Sequence, residues 1–537
     1  MSPSRPRRAL AGDGTAVWLS VLLSYRRRWH YMKKSTILAL AALVLGVAAS
    51  TAFAAKDRLI VADQYDVTSM DPIGHNDVPS SRCCFELYDT LIFRDNQNVV
   101  TPGLAESWEF VSPTEIKFVL RKGVKFHNGE ELKAEDVAFT LMRATTDKGA
   151  KIRSYSQDVK DVKVLDDYSF VIELKAPNSS FFNSLTHSWA SILNKKAVEA
   201  AGDNYGTLAA PPVGTGPFKF LSWQKNDKYE LERFDGFWGE APKYQYLEVR
   251  SIPEANNRTI ELETKGVDIA FPIAVNDLNR VKDNPELVLQ QVPAVNVTYL
   301  GFDTVKAPFD NVVVRRAVNA AIDSIGMHKV VYEKLGKNGS VPRAIVPAAL
   351  PYSIANDQPE HVQDQELAKK LLAESGIDLN KTYQIWTNER KERQDMAQII
   401  QGMLAEVGMK TEIKVLEWGA YLNGLQEKNH DMFILGWSTS VPDPNFAMSG
   451  LLETNAGSNY TFFSNAAFDA AMDKGRKTLD GPERAAVYKE AQEILLDQCP
   501  QVYLHSDDNC VGTQKYVKGF EVGANDTYNF RTVYFED

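Results

Sequence analysis

The stretch Met432–Pro444 reads MFILGWSTSVPDP. After Asp431, the large apolar residues Met432 to Leu435 run straight into Gly436-Trp437. The hydroxyl residues Ser438, Thr439 and Ser440 follow, and then the turn-forming Val441-Pro442-Asp443-Pro444. A short continuous apolar run bounded by turn signals suits a strand buried on both faces. Upstream, Thr411–Leu416 reads as another strand and Glu417–Gln426 as a helix, which makes a βαβ unit and points to an α/β fold. Ligands of open α/β sheets sit at the carboxyl ends of such strands. Gly436–Ser440 is therefore expected to be a polar, aromatic lip on a buried strand, and the first place to look for a binding site.

The chain has 537 residues, too many for one core, so two or three domains are expected. Residues 1–54 hold eight Lys/Arg and one Asp, which leaves 52 basic against 69 acidic residues, or −17, in the remainder. That balance argues against a nucleic-acid binder, which would carry a basic patch. Met32-Lys33-Lys34, the apolar run Ile37–Val47 and Ala52-Phe53-Ala54 supply the basic, apolar and small-residue parts of a secretory signal peptide. The apolar run is too short to span a membrane. Residues 32–54 are thus read as a signal peptide, and residues 1–31 as lying upstream of the true translation start at Met32. No Cys follows the cleavage site, so a free periplasmic protein without a lipid anchor is expected.

Four cysteines in an oxidising compartment permit disulfides. Cys499 and Cys510 flank Pro500–Asn509, read as a strand and turn, and pairing would close a short loop; the sequence leaves that pairing open. Cys83 and Cys84 are neighbours on a helix and are read as buried thiols. The eight His are scattered, without zinc spacing. Serine-hydrolase, Walker, zincin and EF-hand patterns do not occur. No cofactor or metal is implied.

Further along the chain, Arg58–Ala62 reads as a strand and Ser80–Leu91 as a helix. Ser107–Val111 and Glu115–Leu120 read as a hairpin, and Ala134–Arg143 as a helix with Glu135 and Asp136 in its first turn. Asp364–Gly376 is a helix closed by Gly376. Arg393–Val407 places Met396, Ile399, Ile400, Met403, Leu404 and Val407 on one apolar stripe.

The segment Pro102–Arg143 carries Leu104-Ala105-Glu106-Ser107-Trp108, then Phe118–Gly129, then Ala134–Val137. In this it resembles the extracytoplasmic solute-binding proteins, family 5, of peptide, nickel and glutathione importers. Pro212–Phe220, Glu254–Ala270 and Phe309–Asp323 are similar to further family segments, so the resemblance runs the length of the mature chain. Lys133 stands where the family usually has a helix-capping Thr. The resemblance implies an α/β, two-lobed periplasmic binding protein fold of class II type, with an extra subdomain in lobe 1 and a ligand cleft between the lobes. Lobe 1 would span 55–297, including an inserted subdomain at about 90–210. Lobe 2 would span 298–506, and 507–537 would return to lobe 1. The first crossover is expected near Val295–Leu300 and the return near Tyr503–Cys510.

The family's peptide binders carry G-W-x-x-D-x-x-D-P at the lip. Here the first Asp, which pairs with the substrate's ammonium in those members, is Ser440, and the second is Asp443. The lip Trp437-Ser438-Thr439-Ser440 is similar to that of the glutathione-binding branch, as is Phe271-Pro272-Ile273. Trp437 would form an apolar wall for the ligand, with lobe core as the bland reading. Arg390 and Arg393 stand where dipeptide binders use an Arg for the substrate carboxylate; a solvated charge cluster is the alternative. Gly214, in the turn Gly214–Pro217, would bring backbone close to the cleft, or serve only as a tight connection.

The expected function is that of a substrate-binding subunit of an ABC importer. It would be a monomer that delivers a peptide or peptide-like solute to permease and ATPase subunits. Nickel-chelate, opine or oligosaccharide binding is the alternative within the family, and a secreted hydrolase the alternative outside it.

Overall fold

Met432–Ser438 is a strand at the centre of a five-stranded sheet, in the order 410–416, 382–388, 432–438, 296–302, 501–505. It runs parallel to Thr382–Asn388 and antiparallel to Asn296–Phe302. Because side chains alternate along a strand, Met432 and Ile434 enter one core while Phe433, Leu435 and Trp437 enter another. Both faces are covered, which is why apolar residues follow one another without a polar break. The strand continues past Leu435 to Ser438, so Gly436 and Trp437 belong to the sheet, not to the turn. The apolar stripe of the helix Lys391–Glu406 covers one face through Met396, Ile400 and Leu404.

The computed structural model describes residues 56–94, 99–333, 338–439, 441–479, 481–525 and 528–536. The expected signal peptide, the stretch before it and Ser440 lie outside the described residues.

A second, seven-stranded sheet runs in the order 287–293, 508–514, 269–270, 58–63, 246–251, 228–233, 218–224. Arg58–Asp63 lies near its middle, parallel to Tyr246–Ser251 and Ile269–Ala270. The helix Val78–Leu87 starts at Asp77, whose carboxylate accepts the Ser80 N–H. Inserted between the first strand of this sheet and the rest is a four-stranded antiparallel sheet, ordered 105–112, 115–120, 169–174, 159–166. It has its own core, which includes Phe118, Phe126, Leu141, Phe170 and Trp189. Lys133 precedes the helix Ala134–Ala144 without a side-chain cap, and its N–H instead donates to Asp136 at 3.0 Å.

The chain leaves the seven-stranded sheet at Pro293 and enters the five-stranded one at Asn296; it returns between His505 and Asp508. The crossing strands are tied together. Ala294 N–H donates to the Asp507 carbonyl at 3.3 Å, and Asp507 N–H donates to Asn296 Oδ1 at 2.8 Å.

This return corrects the reading of residues 500–509 as a strand and turn, and it decides the disulfide that the sequence left open. Gln501–His505 and Asp508–Gln514 belong to different sheets, so the segment does not fold back on itself. Cys499 and Cys510 are free, buried thiols, as are Cys83 and Cys84. The Cys499 thiol points at the carbonyls of Arg315 and Gln501.

Candidate functional site

The carboxyl ends of the central strands of both sheets face one cavity of about 190 Å³. One lobe contributes Asp63-Gln64-Tyr65, the first turns of the helix Val78–Leu87, and Phe271–Val275. The other contributes Thr298, Arg390, Arg393, Trp418 and Gly436–Ser438. The inserted subdomain adds Tyr155 and His187.

Arg393 is the most distinctive of these residues. It is 6% exposed, and among the described residues no carboxylate forms an ion pair with it. Its Nη1 donates to Asn388 Oδ1 at 3.3 Å, and its Nε has no partner among the described residues. A buried guanidinium without an anion is costly, and its planar fork suits a carboxylate. Asn388 passes the contact on, because its Nδ2 donates to Tyr65 Oη at 2.6 Å. Tyr65 comes from the end of the strand Arg58–Asp63, in the other lobe, and its ring stacks on Trp418 at 4.6 Å and 7°. Burial pushes the Tyr65 phenol up, so it remains neutral.

The remaining cations at the cavity are committed. Arg390 bonds Asp507 at 2.8 Å and Glu392 at 3.3 Å. Burial pushes the Asp507 carboxyl up, but Arg390 and His505, 3.2 Å away, more than reverse this and hold it well below the usual carboxylate range. Arg82 pairs with Asp63 at 2.7 Å and lies over the rings of Phe271 and Tyr528. Arg258 donates to the carbonyls of Ile252, Pro253 and Pro272, and burial pulls it down to about 10. It braces the wall segment Phe271–Val275.

The lip residues separate. Trp437 lines the cavity and also belongs to the lobe core, its indole N–H donating to the Phe446 carbonyl at 3.0 Å. Ser438 is at the cavity wall, and its hydroxyl has no hydrogen-bond partner among the described residues. Thr439 is buried and does not line the cavity. Asp443 turns away from the cavity: it caps the helix Pro444–Leu452 and pairs with Arg484 at 2.8 Å. Gly214 does not face the cavity either. A Cβ there would lie 2.1 Å from the Leu87 carbonyl oxygen, so its turn is a tight connection against the end of the helix Val78–Leu87.

Tyr65, Arg82, Tyr155, His187 and Trp418 were not singled out from the sequence. Trp418 was within reach, since it follows the carboxyl end of the strand Lys410–Leu416, where ligands of such sheets gather. The others carry no local signal; their place depends on which segments the folded chain brings to the cleft.

Two α/β lobes joined by tied crossovers, with a buried guanidinium that has no ion pair among the described residues facing the cavity between them, define a solute-binding protein. The chain belongs to the bacterial extracellular solute-binding proteins, family 5, whose middle-region model matches residues 99–459. It is 30% identical to a dipeptide-binding protein of Escherichia coli over 84% of this chain and 89% of the relative. It is 28% identical to a glutathione-binding protein of Pectobacterium atrosepticum over 95% and 98%. Among solved structures it is similar to a periplasmic binding protein of Helicobacter pylori in complex with the peptide STSA. The TM-score is 0.83 at 28% identity, covering 90% of this chain and 99% of the other. No helix of the described residues is long and apolar enough to cross a membrane.

Proposed function

We propose that this protein is the periplasmic substrate-binding subunit of an ATP-driven importer, and that it captures a short peptide or peptide-like solute by a free carboxylate. The observation that carries this reading is Arg393: buried, at the cavity wall, and without an anionic partner among the described residues. A carboxylate opposite its fork restores the missing charge and bonds to donors fixed in advance by Asn388 and the strand behind. The dipeptide- and glutathione-binding relatives support the same class of solute. Trp437 would be the apolar wall, and the Ser438 hydroxyl, on the same lip, a polar contact. Arg390 positions this wall through Asp507 without meeting the solute.

The signal peptide at 32–54 would export the chain. The closed, loaded monomer would then dock on a permease whose ATPase subunits supply the energy.

The test is native mass spectrometry on protein purified gently from the periplasm, followed by calorimetric titration of the recovered solute into wild type and Arg393→Gln. A carboxylate-bearing, amino-acid-containing solute whose affinity falls at least thirtyfold in the variant is expected, since a charge-assisted hydrogen bond contributes about 1.5–3 kcal/mol and two are lost. A solute without a carboxylate refutes the reading. Conversion of the solute to product on incubation would instead make the protein a hydrolase.

A further inference from the structure

His187 lies in the inserted subdomain, far along the chain from the lip and from Arg393. It caps the short helical turn Ser188–Ala190, and its Nδ1 accepts the Trp189 N–H at 3.3 Å. A ring nitrogen that accepts a backbone N–H presents a lone pair, so the ring proton is on Nε2. His187 is 5% exposed and lines the cavity, and among the described residues nothing accepts a hydrogen bond from Nε2. Burial, with His75 adding to it, pulls its pKa down to about 3, so the ring is neutral at any physiological pH.

The ring is held flat against Tyr155, with centroids 4.5 Å apart at 17°. Tyr155 in turn stacks on Phe446 at 5.0 Å and 11°. Phe446 belongs to the helix after the lip, and its carbonyl accepts the Trp437 indole N–H at 3.0 Å. The ladder His187–Tyr155–Phe446 therefore joins the inserted subdomain to the lip of the opposite lobe. Tyr155 also lines the cavity.

We propose that His187, with Tyr155 beside it, forms a second ligand subsite that binds an amide carbonyl of the solute at a distance from the carboxylate held by Arg393. The proposal rests on the reading of Arg393 given above. A neutral Nε2–H can only donate, so it cannot hold an ammonium group. A neutral donor at the cavity wall that the described residues leave without an acceptor is complemented by a peptide carbonyl, which brings no further charge into the wall. Arg393 then selects for a carboxylate and His187 for an amide at a set spacing from it. An amino acid, which has a carboxylate but no amide, loses the second contact. Because Phe446 closes the ladder from the other lobe, the donor is aligned when the lobes are together.

The test titrates reduced glutathione and the dipeptide Ala-Leu calorimetrically into wild type, Arg393→Gln, His187→Asn and His187→Gln. Asn retains an oxygen acceptor for the Trp189 N–H but has no donor at the Nε2 position; Gln can present one. The expected result is binding of at least one probe to wild type and loss of about tenfold in His187→Asn, the cost of one hydrogen bond to a desolvated carbonyl. His187→Gln should lose less than threefold. Tyr155→Phe keeps the ring stack, and should lose a few-fold. Wild-type affinity in His187→Asn, with binding lost in Arg393→Gln, overturns this subsite and leaves the carboxylate reading standing. Equal losses in His187→Asn and His187→Gln also overturn it, because a purely structural role makes no distinction between them. Unchanged affinity in Arg393→Gln overturns the carboxylate reading and the placement of this subsite relative to it, and failure of both probes to bind wild type overturns both.

Discussion

The guanidinium of Arg393 occupies the space where a side chain on Gly436 would begin: a Cβ on Gly436 would be 2.6 Å from Arg393 Nη2. The glycine of the lip thus lets a helix residue lay its fork across the end of the central strand and into the cleft. Gly436→Ala should displace the guanidinium, because the far end of an Arg side chain moves more easily than a strand. Stability should change by less than about 1 kcal/mol, since Ala replaces Gly in a strand interior. Affinity for a carboxylate solute should fall by at least tenfold, the equivalent of one charge-assisted bond. Thermal unfolding and calorimetric titration on the same preparation separate the effects, and a variant that binds as wild type would show that Arg393 does not need this path.

Tyr65 and Trp418 meet across the cleft, stacked at 4.6 Å. The stack exists only while the lobes are together, so its loss should act mainly on release. An aromatic pair contributes about 0.5–1.5 kcal/mol beyond its buried area. Tyr65→Ala should therefore raise the dissociation rate about tenfold or less in stopped-flow measurements and change the association rate much less. Tyr65→Phe keeps the stack but frees Asn388, which steadies Arg393, and should fall between the two. An effect confined to association would count against a role in holding the closed form.

What the sequence shows of this fold is what short-range chemistry controls. The buried strand Met432–Ser438 announces itself because both its faces need apolar side chains, and the helix Gln365–Ser375 because Asp364 caps its start and Gly376 takes φ 71° at its end. Arg393 is singled out in the sequence by a resemblance to carboxylate-binding positions, and the fold places it at the cavity wall. Asp443 was misplaced among the lip residues for a physical reason: the spacing D-P at a helix start serves capping as well as it serves a ligand, and here it caps. Tyr65, Tyr155 and His187 are silent in the sequence because their place at the cavity depends on contacts between distant segments. The pairing of Cys499 with Cys510 stayed open in the sequence because closeness along the chain does not tell whether two strands share a sheet.

The four thiols provide a direct check of the topology. All are buried and free, and burial pushes the Cys499 thiol up to about 12. Only thiolate reacts readily, so a thiol reagent should modify none of them in the folded protein within minutes and all four after denaturation. Dithiothreitol should leave the melting temperature unchanged. A shift of several degrees on reduction would show that a disulfide joins two of them.

Glu86 predicts how stability depends on pH. It is fully buried on the helix Val78–Leu87, where one carboxylate oxygen accepts the Phe530 N–H at 2.8 Å and the other has no partner among the described residues. Burial pushes it up to about 7, against the opposing pull of Arg531 and that N–H. A carboxyl raised in the folded state binds its proton more tightly there than in the unfolded chain. Its contribution is therefore fully present below pH 4.5 and is lost as pH rises to about 7. A shift from 4.5 to about 7 corresponds to about 3 kcal/mol over that window. Glu86→Gln carries no proton to lose, so the stability difference, variant minus wild type, should rise by that amount between pH 4.5 and 7.5. Urea unfolding of both proteins at the two pH values measures this difference. Parallel pH profiles would mean that the Glu86 carboxyl titrates alike in the folded and unfolded chains, and that the C-terminal segment around Phe530 is not held against an uncharged acid.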